Sequence, residues 1–416
     1  MTLTLAGFFA VSYIPGAAGT DSRVVTVPFR ALVLALLIYT GYMLLTAGHL
    51  RMRMSVLSLL VLFFWTAYCT RFIVDALLMQ VPLGRPPSDM ALYLFGICIP
   101  AFVVFYFFKE ITFYRKALVS TMLALGMCCL ISAFWTRTTT AASGAGHKAN
   151  EVVNHIEYGH MGVTTIILSL FVLLNIGRRY RPWYLSILAT GAVGLGVFTL
   201  MAAASRGALV AGILVIPIAV YLGFRRGSMA LSIGFCVVLG VLISATVAYL
   251  SLKGEDVIRE IASASAYSAA SDSIFGRQVL IRDAWHQYVM NPWFGSSIVE
   301  RNSLNYPHNA IIEAFMATGT FGGTAFTVLA IVAIYRAGMI IRRDAEMAWL
   351  PLCFLQFITG AMFSGGLYLN VTLWGMMAVM LGVEKRRTRS REVTGESDNA
   401  LRTSAHFEPL FSLRNR

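Results

Sequence analysis

Charged side chains are scarce in this chain of 416 residues: Asp, Glu, Lys and Arg together make up 13 % of it, whereas a soluble domain has about 25 %. Hydrophobic residues make up 57 %, and the glycines and prolines follow no fixed repeat. This composition excludes soluble globular, collagen-like and coiled-coil classes and predicts an integral membrane protein. Because a spanning helix takes about 20 residues, the chain has no room for a separate soluble catalytic domain.

Cysteine is also rare, with six residues that all lie inside apolar runs. No two of them have the spacing of metal ligands in a polar loop, so neither a disulfide nor a zinc site is indicated. The first apolar run, residues 1–14, lacks the basic segment that precedes the hydrophobic core of a signal peptide. We therefore interpret residues 1–14 as a short first span.

Eleven longer apolar runs are suited to spanning a membrane. They lie at about 29–47, 54–70, 91–108, 117–135, 162–176, 184–203, 208–224, 229–251, 310–335, 347–363 and 367–383. With the short span at 1–14 they predict an all-α polytopic membrane protein of about twelve transmembrane helices.

Basic residues are concentrated in alternate connections between these runs. Those connections and the segment from Lys385 hold 21 of the 33 lysines and arginines, so the positive-inside rule places them in the cytoplasm. The positive charge thus reports topology and calls for no nucleic-acid partner. The resulting organisation is an N-terminal bundle of eight or nine spans (1–251), a periplasmic cap loop (252–309), C-terminal transmembrane helices (310–383) and a basic cytoplasmic tail (384–416).

A polar segment at 136–161 contains His147, His155, Glu157 and His160. Three histidines and a carboxylate invite a metal hypothesis. The spacing of five between His155 and His160 fits neither one face of a helix nor a known zinc motif. We therefore expect no metal site here.

Within the cap, GRQVLIRDAWHQYVMNPWFG predicts an amphipathic helix that Asn291 and Pro292 end. Its apolar stripe comprises Leu280, Ile281, Ala284, Trp285 and Tyr288, and its polar stripe Gln278, Arg282, Asp283, His286 and Gln287. Arg277 continues the apolar stripe, so an inward-pointing guanidinium there needs an anionic partner. An ion pair with a carboxylate elsewhere in the chain is the alternative.

Arg206 lies in AAASRGALVAG, where two apolar runs meet with few polar residues between them. A charge at this depth usually faces a cavity or the bundle interior. The alternative is an ordinary arginine that reaches the membrane interface.

The segment NYPHNAIIEAFMATGTFGG returns from the cap into the membrane and places His308 between Pro307 and Asn309 at a helix start. A helix N-terminus disfavours an imidazolium, so His308 is expected to stay neutral and able to accept a proton. Glu313, one turn later, could orient His308 or pair with an arginine. A structural role for the histidine is the alternative.

A neutral base and two guanidinium groups on the external face suit transfer of a group from a lipid diphosphate to a hydroxyl, because arginine binds diphosphate oxygens and stabilises a departing diphosphate. A lipid-oligosaccharide transporter could use the same cations. It would require a cationic path across the bilayer or paired broken helices near the midplane.

The SRGA turn, the GRQVLIRDAW segment with NPWFG after it, and PHNAIIEAFMATGTFGG resemble the O-antigen ligase superfamily in motif order and loop position. The resemblance covers about 180 residues, from the seventh long run to the end of the membrane domain. It implies a GT-C-like bundle in the bacterial inner membrane, with a periplasmic active site, undecaprenyl diphosphate-linked glycans as donors, and no metal or cofactor.

Carried over by motif, the resemblance assigns catalysis to His308, which would deprotonate the acceptor, and to Arg206 and Arg277, which would hold the diphosphate during an inverting in-line attack. Glu313 and Arg282 could support the site, Arg282 structurally. The ligase branch transfers polysaccharide to a sugar hydroxyl of lipid A-core; the polymerase branch extends the lipid-linked glycan. Overall length, compact cytoplasmic loops and a single dominant external cap favour the ligase.

Overall fold

A computed structural model describes residues 2–18, 22–46, 55–107, 111–135, 137–140, 146–149, 155–175, 182–225, 270–344 and 347–394, together with parts of 233–248. In chain order the helices of this part are α1 (Phe8–Ala18), α2 (Ser22–Thr46), α3 (Val56–Ile73), α4 (Pro87–Tyr93), α5 (Ile99–Phe107), α6 (Ile111–Trp135), α7 (His155–Asn175), α8 (Trp183–Ala203), α9 (Arg206–Arg225), α10 (Ala270–Met290), α11 (Ala310–Arg343), α12 (Trp349–Ala361) and α13 (Val371–Thr394). Short helical turns occur at Leu3–Gly7, Val74–Leu78, Leu94–Cys98 and Leu367–Leu369.

Eight helices in the described residues are long and apolar enough to cross a membrane, as expected of a polytopic membrane protein. They are Val24–Thr46, Val56–Leu78, Pro87–Phe107, Ala117–Phe134, His155–Leu174, Trp183–Ala203, Arg206–Arg225 and Ala310–Arg343. Shorter apolar helices occupy Leu5–Ile14, Trp349–Ala361 and Val371–Gly382. Most of the run predicted at 229–251, and residues 252–269 of the cap, lie outside the described residues, so the count of twelve spans and the complete cap stay predictions.

One hairpin departs from the all-α prediction. Strand β1 (Arg137–Thr140) pairs antiparallel with β2 (Gly146–Ala149), with Arg137 opposite Ala149. Three consecutive threonines in β1 explain the strand, because β-branched side chains favour extended backbone. The polar composition of residues 136–161 did not by itself predict these strands.

Helix α7 lies at the centre of the bundle and packs against α6, α8, α9 and α12. Its apolar side chains from Met161 to Val172 are buried almost without interruption, as expected of a helix surrounded by other helices. A Cβ atom on Gly162 would lie 2.6 Å from the carbonyl oxygen of Gly196 in α8. The two glycines therefore allow close contact of the backbones, as small residues do between membrane helices.

Aromatic side chains join α3, α5, α11 and α13 in a second part of the core. The ring centroids of Trp65 and Trp374 lie 4.3 Å apart, and Phe64 lies 5.3 Å from Phe326. Buried Phe102 contacts both tryptophans. This cluster fixes α3 against α11, the helix that begins beside His308.

Helix α11 is broken at Gly319, whose backbone (φ 68°, ψ −166°) is not helical. That conformation is essentially restricted to glycine. A Cβ atom on Gly319 would lie 2.3 Å from the carbonyl oxygen of Trp293, and one on Gly295 would lie 2.4 Å from that of Ala317. The turn after α10 thus inserts its backbone into the break in α11; we call this contact the glycine junction.

Hydrogen bonds across the glycine junction satisfy the backbone groups that the break releases. Thr320 N donates to Pro292 O at 2.6 Å, and Ser296 N donates to Met316 O at 3.0 Å. The Thr320 hydroxyl donates to the same Pro292 oxygen. Buried backbone groups outside a regular helix need such partners, so the NPWFG and GTFGG segments act as one structural unit.

The loop after the glycine junction is attached to the end of α3 through Asp75. This buried carboxylate accepts a hydrogen bond from Ile298 N at 2.9 Å and pairs with Arg71. Glu300 closes the loop, because its N–H donates to Asn305 O at 2.7 Å. The segment that leads to His308 is therefore held from two sides.

Candidate functional site

Arg206 is the first residue of α9, directly after a two-residue turn from α8. Ala204 adopts a left-handed conformation (φ 47°), and Ser205 is buried at the start of α9. The turn packs tightly against α7, since a Cβ atom on Gly159 would lie 2.6 Å from that of Ala208. This arrangement agrees with the tight turn predicted from SRGA and leaves Arg206 half-buried.

Arg277 lies in α10, which ends at Met290 as predicted. Its side chain is half-buried, and burial together with the positive charge of Arg206 lowers its pKa, whereas Tyr306 opposes this shift. The two arginines are therefore close enough to repel each other. Like charges held together in this way favour an anion between them.

The apolar stripe predicted for α10 is only partly buried. Ala284 is fully buried, and Leu280, Ile281 and Tyr288 are partly covered. Trp285, which was predicted to belong to this stripe, is instead 48 % exposed. Its ring contacts that of Tyr288 at an interplanar angle of 52°, with ring centroids 5.0 Å apart.

His308 precedes α11 and adopts a left-handed conformation (φ 56°), which is uncommon for a residue other than glycine. Asn309 caps the helix, because its side-chain oxygen accepts hydrogen bonds from Ile311 N and Ile312 N, both at 3.1 Å. The predicted helix start is therefore confirmed. The backbone strain at His308 is of the kind found at functional sites.

The imidazole of His308 lies edge-on to Tyr306, with ring centroids 4.8 Å apart. Its Nδ1 atom is buried and has no hydrogen-bond partner among the described residues. Burial, and secondly the charge of Arg277, lowers the pKa of His308 to about 4. The imidazole is thus neutral at pH 7, as predicted, although burial is the main cause here.

This lowered pKa gives a first prediction. A histidine with an ordinary pKa of about 6.5 loses its basic form between pH 7.5 and pH 5.5, whereas a group with a pKa of about 4 stays neutral throughout. We therefore expect any activity that needs His308 as a base to stay level over this interval and to fall as the pH approaches 4. Initial rates in a constant-ionic-strength buffer series measure this. A fall centred near pH 6.5 would contradict it.

Glu313 is fully buried and contributes to the site indirectly. It accepts hydrogen bonds from the Tyr68 hydroxyl at 3.0 Å and from Leu367 N at 2.9 Å. The sequence analysis expected it to orient His308 or to pair with an arginine. Instead, it fixes the first turns of α11 to α3 and to the segment before α13.

Arg85, which no sequence pattern singled out, lies in a loop next to the segment that carries Tyr306 and His308. Gly84 beside it has a φ of 67°, and a Cβ atom there would lie 2.1 Å from the carbonyl oxygen of Leu304. The loop that carries Arg85 is therefore pressed against the segment before His308. Burial raises the pKa of Tyr306; the charges of Arg85 and Arg277 oppose this shift, and that of Glu157 adds to it.

A second group that the analysis missed borders this one. Arg30 of α2 is buried, donates a hydrogen bond to the Tyr93 hydroxyl and lies 4.0 Å from the centroid of that ring. Arg85 and Glu157 are within electrostatic reach of Tyr93. A charge inside an apolar run is itself a functional signal, and Arg30 could have been found by it.

Two other predicted features lie apart from this group. Arg282 is exposed and bonds its neighbour Asp283 at 3.1 Å. Within the described residues, no three His, Cys, Asp or Glu side chains come together as a metal site would require; the side chain of His147 lies outside these residues.

Comparison with known families adds one match: residues 191–327 fit the family model described as O-antigen ligase. The match covers about a third of the chain, so this segment is similar to the O-antigen ligase family. The resemblance expected from the motifs is thereby confirmed, although it starts earlier and ends earlier along the chain than expected. No curated protein matches the chain.

The O-antigen ligase segment contains Arg206, Arg277 and His308, together with both halves of the glycine junction. Arg30, Arg85 and Glu157 lie outside it. The site is thus formed by the family segment on one side and by the N-terminal helices on the other.

Proposed function

We propose that the chain is a membrane glycosyltransferase of the O-antigen ligase type, which transfers a polysaccharide from undecaprenyl diphosphate to a sugar hydroxyl of lipid A-core. It would act in the bacterial inner membrane with its site facing the periplasm and its C-terminus in the cytoplasm. The domain division into a bundle (1–251), cap loop (252–309), C-terminal helices (310–383) and tail (384–416) belongs to this proposal.

The observation that carries the proposal is the convergence of a neutral base and mutually repelling cations. Burial and the charge of Arg206 lower the pKa of Arg277. The charge of Arg277 in turn helps to lower the pKa of His308 and opposes the rise in the pKa of Tyr306. A diphosphate between the guanidinium groups would relieve their repulsion. His308 would then activate an acceptor hydroxyl on the side of the anomeric carbon opposite the bound diphosphate, as an in-line displacement requires.

In the proposed step, His308 accepts the proton of the acceptor hydroxyl while the oxygen attacks the anomeric carbon of the donor. The bond from this carbon to the diphosphate oxygen breaks, and undecaprenyl diphosphate leaves with the electron pair. Arg206 and Arg277 stabilise the developing charge. In-line displacement inverts the anomeric configuration.

The test uses purified full-length protein with an undecaprenyl diphosphate-linked glycan, with or without lipid A-core, and products separated on a gel. Glycan-capped lipid A-core supports the ligase. Elongated lipid-linked glycan would assign the chain to the polymerase branch. If no covalent product forms and the lipid-linked glycan instead crosses the membrane of proteoliposomes, the chain is a transporter and not a transferase.

Arg85 gives a second prediction. Because the charge of Arg85 acts on Tyr306, Arg85→Ala should weaken donor binding and raise the donor KM about 5- to 10-fold, with a smaller effect on kcat. This is the pattern expected for loss of a charged contact formed in the ground state. Steady-state kinetics with varied donor measure both constants. Arg225→Ala, at the other end of α9, is the matched control; an equal KM change in both variants would remove Arg85 from the site.

A further inference from the structure

A polar pocket of about 290 Å³ lies between α10 and the loop that follows it. Its walls include Asp283, His286, Gln287, Asn291, Arg301 and Asn302. The first three share one face of α10, because they recur at three and four residues. Arg277, six residues before Asp283, projects about a third of a turn away, so this pocket is separate from the group around His308.

Ser296 gives the strongest indication that the pocket has a ligand. The residue lines the pocket and is only 3 % exposed, and its hydroxyl has no hydrogen-bond partner among the described residues. Its backbone groups are satisfied, since its N–H donates to Met316 O and its carbonyl accepts from Arg301. A buried hydroxyl without a partner is unfavourable, and a ligand in the pocket would supply one.

Internal hydrogen bonds hold the walls of the pocket in place. The carboxylate oxygens of Glu300 accept from Asn302 N at 2.9 Å and from Ser303 N at 2.7 Å. The side chain of Gln287 accepts from Arg301 N at 3.1 Å and donates to Val299 O at 3.2 Å. The pocket is therefore formed before a ligand binds.

The chemistry of these walls favours an uncharged, hydroxylated ligand. The lining contains two carboxylates, Asp283 and Glu300, and one guanidinium, that of Arg301, while Arg282 bonds Asp283 from outside the lining. The pocket therefore has no excess of positive charge, which disfavours a diphosphate. The amides of Asn291 and Asn302 and the hydroxyl of Ser296 offer both donors and acceptors. Sugar hydroxyls, which donate and accept at once, match this combination.

We propose that this pocket binds sugar units of a saccharide substrate, away from the anomeric carbon that reacts. The proposal rests on the proposed function, because that function brings a glycan and a core oligosaccharide to this face. The Glu300–Asn305 bridge joins the pocket to the segment that carries His308. A saccharide in the pocket would therefore set the position of its chain relative to the base.

The test measures equilibrium binding to full-length protein in detergent, with three soluble probes: a repeat-unit oligosaccharide, a core oligosaccharide and inorganic pyrophosphate. Asn302→Trp fills the mouth of the pocket from an exposed position, and Gln278→Trp, also exposed but outside the pocket, is its control. We expect Asn302→Trp to weaken one oligosaccharide at least 10-fold and to leave pyrophosphate unchanged. Weaker binding of the repeat-unit oligosaccharide would show that the pocket binds the donor glycan, and weaker binding of the core oligosaccharide would show that it binds the acceptor.

Ser296→Ala provides a smaller change at the same place and should weaken the same oligosaccharide 3- to 10-fold. If neither oligosaccharide binds, or if Asn302→Trp and Gln278→Trp weaken binding equally, the proposal is overturned. Binding is measured without turnover, so its outcome is independent of whether the chain proves to be a transferase.

Discussion

Replacing His308 by alanine is expected to lower the rate of glycan transfer by about 10²- to 10⁴-fold, the range typical of a lost general base. The imidazole is neutral, half-buried and within the electrostatic reach of Arg277. Its Nδ1 atom has no partner among the described residues. No other side chain described near Tyr306 combines a neutral basic nitrogen with this position.

The measurement separates catalysis from binding. Since His308 contacts the acceptor in the proposed step, His308→Ala should lower kcat and leave the affinity for the lipid-linked donor nearly unchanged. His308→Gln keeps the size and polarity of the side chain but cannot accept the proton, so it should be equally inactive. Arg277→Ala should show the reverse pattern, with weak donor binding.

Retained turnover in His308→Gln would show that His308 acts by hydrogen bonding or packing and that another group is the base. Equal loss of donor binding in His308→Ala and Arg277→Ala would contradict the roles assigned to both residues.

Replacing Gly319 by alanine is expected to prevent the chain from folding. The backbone conformation of Gly319 costs a side-chain-bearing residue about 1–3 kcal/mol. The added Cβ atom would also lie 2.3 Å from Trp293 O and 2.6 Å from Phe294 N, a backbone overlap that a rotamer change cannot relieve. Together these penalties approach the whole stability of a typical domain, about 5–15 kcal/mol.

Gly338→Ala is the matched control, because Gly338 lies in the same helix and a Cβ atom there would have nothing within 4 Å. That change should be neutral or stabilising by up to about 1 kcal/mol. Fluorescence-detected size-exclusion chromatography and thermal unfolding in detergent distinguish the two variants. A monodisperse Gly319→Ala protein with an unchanged Tm would show that the glycine junction is dispensable.

The features that the sequence predicted well are those that local patterns determine. Apolar runs predicted the spanning helices, Asn291 and Pro292 predicted the end of α10, and Asn309 predicted the start of α11. Arg206 and Arg277 were identified because charges in apolar surroundings are conspicuous. Their approach to each other is consistent with the shared anion that the sequence suggested.

The features that were missed depend on contacts between distant segments. Arg85 lies in an ordinary polar connection, and only the contact of Gly84 with Leu304 brings it to Tyr306. Gly319 lies in ATGTFGG, which contains three glycines and two threonines, and the local pattern does not determine at which of these residues the helix breaks. The periodicity of α10 suggested that Trp285 is buried, but its side chain is 48 % exposed.

The break in α11 also bears on the depth of the site in the bilayer. The helix has 34 residues, or about 51 Å at about 1.5 Å per residue, well beyond the roughly 30 Å of a hydrocarbon core. The part after Gly319, Thr320–Arg343, is about 36 Å long and can cross on its own. The preceding ten residues, Ala310–Gly319, are then not needed to cross the hydrocarbon core. In the proposed function they would place His308 at the level of the lipid head groups, where the phosphates of a membrane-bound donor lie.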